Sequence, residues 1–146
     1  MANQPLTVIA DTREQKPWSF GPDIQLVRGT LATGDYSLAG LTDRVALERK
    51  SLGDLVNTVI GDWLRFRKEL YRLAGMDLAA IVVEAGVPDI CERRYESDAN
   101  PESVLGRVNA IIIDHGVQVL FAGSRPYAVH LAERLLRQAA KKYGGS

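Results

Sequence analysis

The chain has 146 residues, of which 46% are hydrophobic and 25% charged, and its formal net charge is zero. This length suffices for one compact domain with a hydrophobic core, and the composition excludes a disordered chain. Apolar runs such as residues 110–113 are far too short to span a bilayer, so no membrane association is expected. The absence of a secretory signal pattern and the single Cys91 predict a reducing, cytoplasmic location.

The charges are unevenly distributed along the chain. Residues 1–114 contain 13 Lys and Arg against 17 Asp and Glu, whereas residues 115–146 contain 5 against 1. An excess of acidic residues in the first part is what a cation site requires. An ordinary mixed surface is the simpler explanation for the charge pattern taken alone.

The first third of the chain has the pattern of short strands. Residues 6–10 are rich in β-forming side chains and end at Asp11. Three further strands are predicted at residues 24–27, 34–38 and 45–50, separated by turns that contain glycine. We interpret these four strands as a meander.

A long helix is predicted next. Ser51 is a suitable N-cap, and Asp54 three residues later resembles a capping box with the shorter acid. Apolar residues from Leu52 to Leu73 follow close to helical spacing, and Gly61-Asp62 is expected to bend or interrupt the helix. The segment of residues 78–84, which is continuously apolar as far as Val83, then predicts a strand that is buried on both faces.

The second half predicts alternating helices and strands. Residues 87–99 read as an irregular charged segment, and Asn100-Pro101 opens a helix that Gly116 ends. Another buried strand at 117–121 and a closing helix at 125–142 follow. The apolar face of that helix is expected to cover the sheet; it comprises Val129, Ala132, Leu135, Leu136 and Ala139. The order predicts one α/β domain over residues 1–143, a mixed sheet with helices on its faces, and a disordered tail at 144–146.

Two functional side chains share one face of the fourth predicted strand. Because side chains alternate along a strand, Glu48 and Lys50 project to the same side, roughly 7 Å apart. Val45 and Leu47 then face the core. A solvent-facing ion pair on an edge strand is the simpler explanation for an isolated Glu-x-Lys.

Further carboxylates favour a metal site. Asp35 lies in a Gly34-Asp35-Tyr36 turn that can bring it towards Glu48, and Asp11 ends the first strand. Oxygen ligands suit hard cations such as Mg²⁺, and Lys50 can activate water or stabilise charge on a phosphate. These residues together match metal-assisted hydrolysis of phosphodiesters.

The same residues resemble the XPF-type excision-repair nuclease domain of the PD-(D/E)xK superfamily, whose signature is G-D-x(n)-E-R-K-x3-D. The matching blocks are Val8-Ile9-Ala10-Asp11-Thr12-Arg13-Glu14, Gly34-Asp35-Tyr36 and Glu48-Arg49-Lys50-Ser51-Leu52-Gly53-Asp54. The resemblance continues through Arg65-Phe66 and Val82-Val83-Glu84 to Phe121-Ala122-Gly123, so it covers most of the chain. Among members of this family, the sequence most resembles the small phage or bacterial ones.

The resemblance implies a restriction-endonuclease-like fold, a mixed central sheet with helices on both faces. It also implies Mg²⁺ or Mn²⁺ as the cofactor, held mainly by Asp35 and Glu48, with Asp11 acting directly or through water. Lys50 would position or activate the hydrolytic water.

The resemblance assigns supporting roles to three further residues. Arg13 and Arg49 would hold phosphate or the carboxylates of the site, since a planar guanidinium suits either partner. Asp54 would orient Lys50 or a metal-bound water, a role compatible with its place in a capping box.

The function expected from the resemblance is a metal-dependent DNA endonuclease in repair or recombination, in a bacterial or phage-infected cell. It would be selective for flap, fork or other branched DNA, and no nucleotide cofactor is expected. The alternatives are a catalytically inert DNA-binding or scaffold domain of the same fold, and a sequence-specific restriction-type nuclease. Cellular XPF-type proteins carry tandem helix-hairpin-helix modules after this domain, whereas one predicted helix follows Phe121 here.

Other features are weaker indications of a DNA interface. Arg65, Lys68 and Arg72 form a basic stripe on the long helix, which either holds the DNA backbone or is an ordinary solvated face. Tyr36 is a candidate for stacking on a base. The last helix is a candidate surface for a homodimer.

Overall fold

The computed structural model describes residues 5–144, so residues 145 and 146 of the predicted disordered tail lie outside the described residues. Gly144 follows the last helix, and its N–H donates a hydrogen bond to the carbonyl of Ala140. Among the described residues, no helix combines the length and apolar character needed to cross a membrane.

The described residues form six strands and five α-helices. The strands are β1 (Leu6–Asp11), β2 (Ile24–Gly29), β3 (Tyr36–Leu38), β4 (Val45–Lys50), β5 (Leu78–Val83) and β6 (Gln118–Phe121). The helices are α1 (Leu52–Val56), α2 (Trp63–Ala74), α3 (Val87–Cys91), α4 (Pro101–Ile113) and α5 (Arg125–Tyr143), with a π-helical turn at Asn57–Gly61 between α1 and α2.

All six strands belong to one mixed sheet in the order β2-β1-β3-β4-β5-β6. Strand β3 is antiparallel to both β1 and β4, whereas β4, β5 and β6 run parallel to one another. The parallel half is connected through helices, as parallel pairing requires a long crossover. The predicted α/β fold with a mixed central sheet is confirmed.

The predicted meander is wrong in its first step. Strand β2 runs parallel to β1, with Leu6 opposite Ile24, and it lies at the edge of the sheet. The connection, residues 12–23, is long enough to bring the chain back to the start of β1, so a hairpin is not needed. Trp18 anchors this connection, because its side chain is fully buried.

Helices cover both faces of the sheet. On one face α5 packs with Ala132, Leu136 and other apolar residues against a cluster that includes Val8 and Val82. On the other face the helices between β4 and β6 pack on the sheet and contribute apolar residues, Leu70 and Ile111 among them, to a second cluster. The predicted covering role of the last helix is therefore confirmed.

The long helix after β4 is interrupted where the sequence predicts it. The N–H of Asp62 donates to the carbonyl of Asn57 over 3.1 Å, the i to i−5 spacing of a π-turn. Ser51 caps α1 by accepting a 3.2 Å hydrogen bond from the N–H of Asp54. After the interruption, α2 buries Phe66, Leu70 and Leu73 on the side that faces the sheet.

Two local predictions need correction. The segment at 87–99 is not irregular throughout, because it begins with α3, where the Asp89 carboxylate accepts a 2.7 Å hydrogen bond from the N–H of Gly86. Strand β6 is not the buried strand that the sequence predicts, since it is the last strand of the sheet and is partly exposed. Gly116, with a φ of 68°, follows α4 as predicted.

Candidate active site

A cavity of about 420 Å³ opens where the turn before β3, strand β4 and helix α2 meet. Its charged lining combines four acidic residues, Asp35, Glu48, Asp62 and Glu69, with four basic residues, Arg13, Lys50, Arg65 and Arg72. Such a mixed lining can hold a cation and also bind an anionic substrate.

Strand β4 delivers Glu48 and Lys50 to this cavity. Both side chains lie on the face of the sheet that α2 covers, and Lys50 Nζ is 3.9 Å from Glu48 Oε1. The Lys50 ammonium also lies over the Phe66 ring, 5.4 Å from its centroid. Val45 and Leu47 are fully buried on the opposite face, as predicted. The pair is therefore a wall of a cavity and not a solvent-facing ion pair.

The turn before β3 holds Asp35 against Glu48. Gly34 adopts a φ of +81°, and a Cβ at this position would lie 3.0 Å from the Cβ of Ala46, so only glycine suits the turn. The N–H of Asp35 donates to the carbonyl of Leu47 over 2.8 Å. The N–H of Arg49 donates to Asp35 Oδ2 over 2.7 Å, which fixes the carboxylate beside β4.

Asp35 and Glu48 are buried side by side, so their carboxylates repel each other when both are ionised. Only 13% of the Glu48 side chain is exposed, and burial raises its pKa well above the usual range, with repulsion from Asp35 adding to the effect. Burial also raises the pKa of Asp35, and the hydrogen bond from Arg49 opposes this in part. The two carboxyl groups lie close enough to share a hydrogen bond. A positive charge between them would relieve the conflict.

The donor set of this pair fits a hard divalent cation. Two carboxylates suffice for Mg²⁺, which keeps several water ligands and prefers oxygen donors. No group of three or more His, Cys, Asp and Glu residues in the described part of the chain has the arrangement of a metal site. The candidate metal ligands brought together are therefore Asp35 and Glu48.

Asp11, the third predicted ligand, faces other partners. Its Oδ1 accepts a 2.8 Å hydrogen bond from the N–H of Leu31, and its Oδ2 accepts hydrogen bonds from the N–H and Nε of Arg13 at 3.1 and 2.6 Å. Burial raises the pKa of Asp11, but these hydrogen bonds outweigh it and leave the pKa lowered. Asp11 is fully buried and does not line the cavity, so in this structure it holds Arg13.

Arg13 presents its guanidinium to the cavity. The hydrogen bond to Asp11 raises its pKa, and Nη2 donates to the carbonyl of Leu31 over 3.3 Å. The side chain is exposed apart from these contacts. Arg13 is therefore a fixed cation at the mouth of the cavity.

The side chain of Arg49 points to the opposite face of the sheet, which corrects the expectation that it holds phosphate or the carboxylates of the site. Its Nε and Nη2 donate to the two carboxylate oxygens of Glu84, both over 2.9 Å. Glu84 Oε2 also accepts hydrogen bonds from Trp18 Nε1 at 2.8 Å and Arg125 Nη1 at 3.4 Å. Arg49 contributes to the site only through its backbone.

Asp54 lies in the exposed first turn of α1, outside the lining of the cavity. Its backbone N–H is bound by Ser51, so the predicted cap exists. Among the described residues, the Asp54 carboxylate forms neither a hydrogen bond nor an ion pair with Lys50. The predicted role in orienting Lys50 therefore has no direct contact to support it.

Only part of the predicted basic stripe on α2 lies at the cavity. Arg65 and Arg72 line the cavity, whereas Lys68 is exposed and lies outside its lining. Arg72 Nη2 pairs with Glu69 Oε2. Glu69 itself reaches the turn before β3 by accepting a 3.3 Å hydrogen bond from the N–H of Gly34.

The expectation that Tyr36 stacks on a base is wrong. Its ring is fully buried and stacks on Trp18 with 4.4 Å between ring centroids. Its hydroxyl donates to Glu14 Oε2 over 2.9 Å and accepts from the N–H of Trp18 over 2.8 Å. Burial accordingly raises the Tyr36 pKa above its usual value.

Sequence reasoning missed Asp62 and Glu69 in the cavity and the role of Glu84 behind it. Glu69 follows Arg65 by four residues and precedes Arg72 by three, so helical spacing alone places it on their face. The sequence marks Asp62 only as part of an interruption of the helix. No local pattern marks Glu84, since its partners come from distant segments.

Comparison with known proteins agrees with this geometry. The profile of the ERCC4 domain family matches residues 10–135. A putative ATP-dependent RNA helicase from Methanocaldococcus jannaschii is 30% identical over 142 residues, which cover 95% of this chain and only 16% of that protein.

Two solved structures of XPF from Aeropyrum pernix are similar in fold. The first has a TM-score of 0.74 and 21% identity, and the match covers 96% of this chain and 64% of that one. The second, a complex with DNA, has a TM-score of 0.72 and 25% identity, with coverage of 97% and 68%. The chain thus spans less than two thirds of the first XPF structure. With a family match over most of its length, the chain belongs to the ERCC4 domain family and shares the fold seen in XPF.

Proposed function

We propose that the chain is an endonuclease that hydrolyses DNA phosphodiester bonds with Mg²⁺ or Mn²⁺. The observation that carries the proposal is the buried carboxyl pair of Asp35 and Glu48, with Lys50 beside it, in a cavity of an ERCC4 domain. Retention of all three residues argues against the catalytically inert alternative.

Asp35 and Glu48 would hold the metal ion, and the backbone carbonyl of Arg49 is a further candidate ligand. The ion would supply a lowered pKa for a bound water and compensation of charge on the phosphate. Lys50 Nζ, restrained between Glu48 and the Phe66 ring, would orient the attacking water and donate hydrogen bonds to the phosphate.

Basic residues around the cavity would bind the DNA backbone. Arg13 is held in place by Asp11, so the exposed edge of its guanidinium can bind a phosphate without losing its orientation. Arg65 and Arg72 extend the positive lining along α2. A fixed guanidinium limits the entropy lost when a phosphate binds.

We further propose a preference for branched DNA, or DNA containing single strands, in repair or recombination. The preference follows from the resemblance to XPF-type nucleases, and the DNA complex of XPF from Aeropyrum pernix supports the coarser point that the ligand is DNA. The cytoplasm of a bacterial or phage-infected cell would be the setting. A homodimer would use the side of α5 that does not pack on the sheet. Light scattering at micromolar concentration tests this, and a monomer there contradicts the dimer.

A panel of labelled DNA substrates tests the activity and its selectivity. Flap, fork, bubble, single-stranded and duplex DNA are incubated with the protein in Mg²⁺, Mn²⁺ or EDTA. We expect metal-dependent cutting of the branched substrates, lost in Asp35→Ala and Lys50→Ala and retained in Asp98→Ala, an exposed acid outside the cavity.

The other outcomes separate the alternatives. If the folded protein cuts no substrate with either metal, the enzyme proposal fails and the inert binding domain is favoured. Cutting of plain duplex at fixed sequences favours the restriction-type alternative. Cutting that survives both active-site substitutions indicates a contaminant.

A further inference from the structure

A second groove leads away from the catalytic cavity between α2 and α4. Asp62 and Arg65 line both the catalytic cavity and a neighbouring hollow of about 470 Å³. Trp63 and Arg107 line that hollow and also a further one of about 380 Å³, which extends to Tyr71. We call this path, from Arg65 past Trp63 and Arg107 to Tyr71, the α2–α4 groove. Its continuity with the cavity means that one extended ligand can occupy both.

Aromatic rings lie along the groove. The His115 ring lies edge-on to both Trp63 and Tyr71, with centroid distances of 6.2 and 5.5 Å. Arg107 Cζ is 4.7 Å from the Trp63 centroid, so a guanidinium covers that ring. Tyr71 is 64% exposed, an unusual position for a large aromatic side chain. A flat ring facing water offers a stacking surface.

The charge of the groove suits an anion. Arg65, Arg67 and Arg107 line it, against the acidic groups of Asp62 and Asp114. Apolar side chains line the same region: Ile60 is 40% exposed and Leu64 75%. Clustered exposed apolar groups beside cations mark a binding surface more often than a bare solvated face.

We propose that the α2–α4 groove binds a single-stranded segment of DNA that continues from the catalytic cavity. A base would stack on the exposed Tyr71 ring, beside Trp63 and His115, and phosphates would contact the arginines, including the Arg107 guanidinium that covers Trp63. Exposed rings bind unpaired bases, because a duplex keeps its base faces stacked within the helix. This inference rests on the proposed function, and it assigns the unpaired arm of a branched substrate to a particular surface.

The choice of DNA over other occupants follows from position and charge. An acidic peptide or a second copy of the chain would also cover the apolar residues. Neither, however, accounts for the continuity with the catalytic cavity through Asp62 and Arg65. Alternation of guanidinium groups with aromatic rings matches the repeating phosphates and bases of a single strand.

Binding of a fluorescein-labelled oligothymidine to the full chain, in EDTA so that no cleavage occurs, tests the inference. We expect Tyr71→Ala to weaken affinity on the order of tenfold, because the variant has no ring on which that base can stack. Tyr71→Phe should retain most of the affinity, since the ring remains. Tyr127→Ala is the matched control: Tyr127 is 68% exposed and lies on α5, outside the groove, so affinity should not change.

Tryptophan fluorescence gives an independent reading of the same site. The protein has two tryptophans, and Trp18 is fully buried, so quenching by the oligonucleotide should report on Trp63. We expect quenching that saturates with binding and disappears in Trp63→Phe. The affinity read from this quenching should require Arg67 for its full value. Far-ultraviolet circular dichroism and the melting temperature verify that each variant is folded.

The alternatives give distinct results. Unchanged affinity in Tyr71→Ala, or no binding of the single strand by the wild-type chain, overturns the inference. Loss of a dimer in Tyr71→Ala with unchanged DNA affinity assigns the groove to a second copy. Binding is measured without cleavage, so these results stand apart from the substrate panel, which alone decides the proposed endonuclease activity.

Discussion

At the residue scale, the site depends on two carboxyl groups that the fold holds together against their repulsion. The N–H of Arg49 orients Asp35, and Glu48 lies almost wholly buried on β4. A group with a raised folded-state pKa contributes stability below its unfolded pKa and loses that contribution as the pH rises through the folded value. Without metal, raising the pH through the folded-state pKa of this pair therefore lowers the free energy of unfolding.

Replacing Glu48 tests this conflict. We expect Glu48→Gln to raise the free energy of unfolding by about 1 kcal/mol at pH 8 in EDTA, because a buried repulsive charge is removed. Urea denaturation measures the change, and it should shrink as the pH falls towards 4. Added Mg²⁺ should stabilise the wild-type chain but not the variant. A less stable variant in EDTA contradicts the account.

Arg13 is the basic residue whose phosphate role can be tested most directly. Arg13→Ala should lower kcat/KM for DNA cleavage by about 10- to 100-fold, since the variant cannot form the charge-assisted hydrogen bonds to a phosphate. Arg13→Lys should recover only part of the activity, because an ammonium cannot keep the bond to Asp11 and a bidentate phosphate interaction together. Arg134→Ala, an exposed arginine outside the cavity, serves as the control. Equal activity of Arg13→Ala and the control would rule out the role.

The sequence is sufficient to predict Asp35, Glu48 and Lys50 because their types and local spacings carry the chemistry. The same alternation that joins Glu48 to Lys50 places Arg49 on the opposite face, so its placement is within reach of the pattern. The orientation of Tyr36 cannot be predicted in this way, because a residue of a short strand beside a turn can face either side of the sheet. Its burial under Trp18 is also a long-range contact. Asp11 likewise depends on Leu31, which is distant in the sequence.

At the scale of elements, Glu84 ties three separate segments to the end of β5. It accepts hydrogen bonds from Trp18 in the β1–β2 connection, Arg49 on β4 and Arg125 at the start of α5. Because the N–H of Arg49 also holds Asp35, this arrangement supports the site from behind the sheet.

Removing Glu84 leaves buried donors without acceptors. We expect Glu84→Ala to lower the free energy of unfolding by about 3 kcal/mol, because breaking one side of a buried ion pair leaves its partner uncompensated. Chemical denaturation against Glu102→Ala, an exposed acid on α4, measures the difference. A change below that of the control would show that Glu84 does not hold these segments.

The elements with strong periodicity are predictable from the sequence, and their pairing is not. Strands β1 and β4, the interrupted helix and α5 follow from alternation, capping and apolar spacing. The parallel pairing of β1 with β2 depends on where residues 12–23 travel, which local patterns do not determine. Helix α3 is hidden because charged residues surround a five-residue segment whose cap is a carboxylate on Asp89.

At the scale of the whole molecule, the neutral net charge conceals a basic lining around an acidic centre. Double substitution of Arg65 and Arg72 by Ala should weaken DNA binding and flatten its dependence on salt. The slope of log K against log salt should fall by about 0.7 to 0.9 for each phosphate that is no longer neutralised by an arginine. Arg72 pairs with Glu69, so Arg65 should account for more of the change. An unchanged slope would remove α2 from the DNA interface.

We propose that the Asp35–Glu48 pair makes this ERCC4 domain a metal-dependent nuclease. The most direct test is the rate of flap-DNA cleavage as a function of Mg²⁺ concentration, for the wild-type chain and Asp35→Ala. We predict a saturating rate that falls to zero in EDTA and is at least about 100-fold lower in the variant at every concentration. Equal rates in the two proteins, or cleavage that persists in EDTA, would contradict the account.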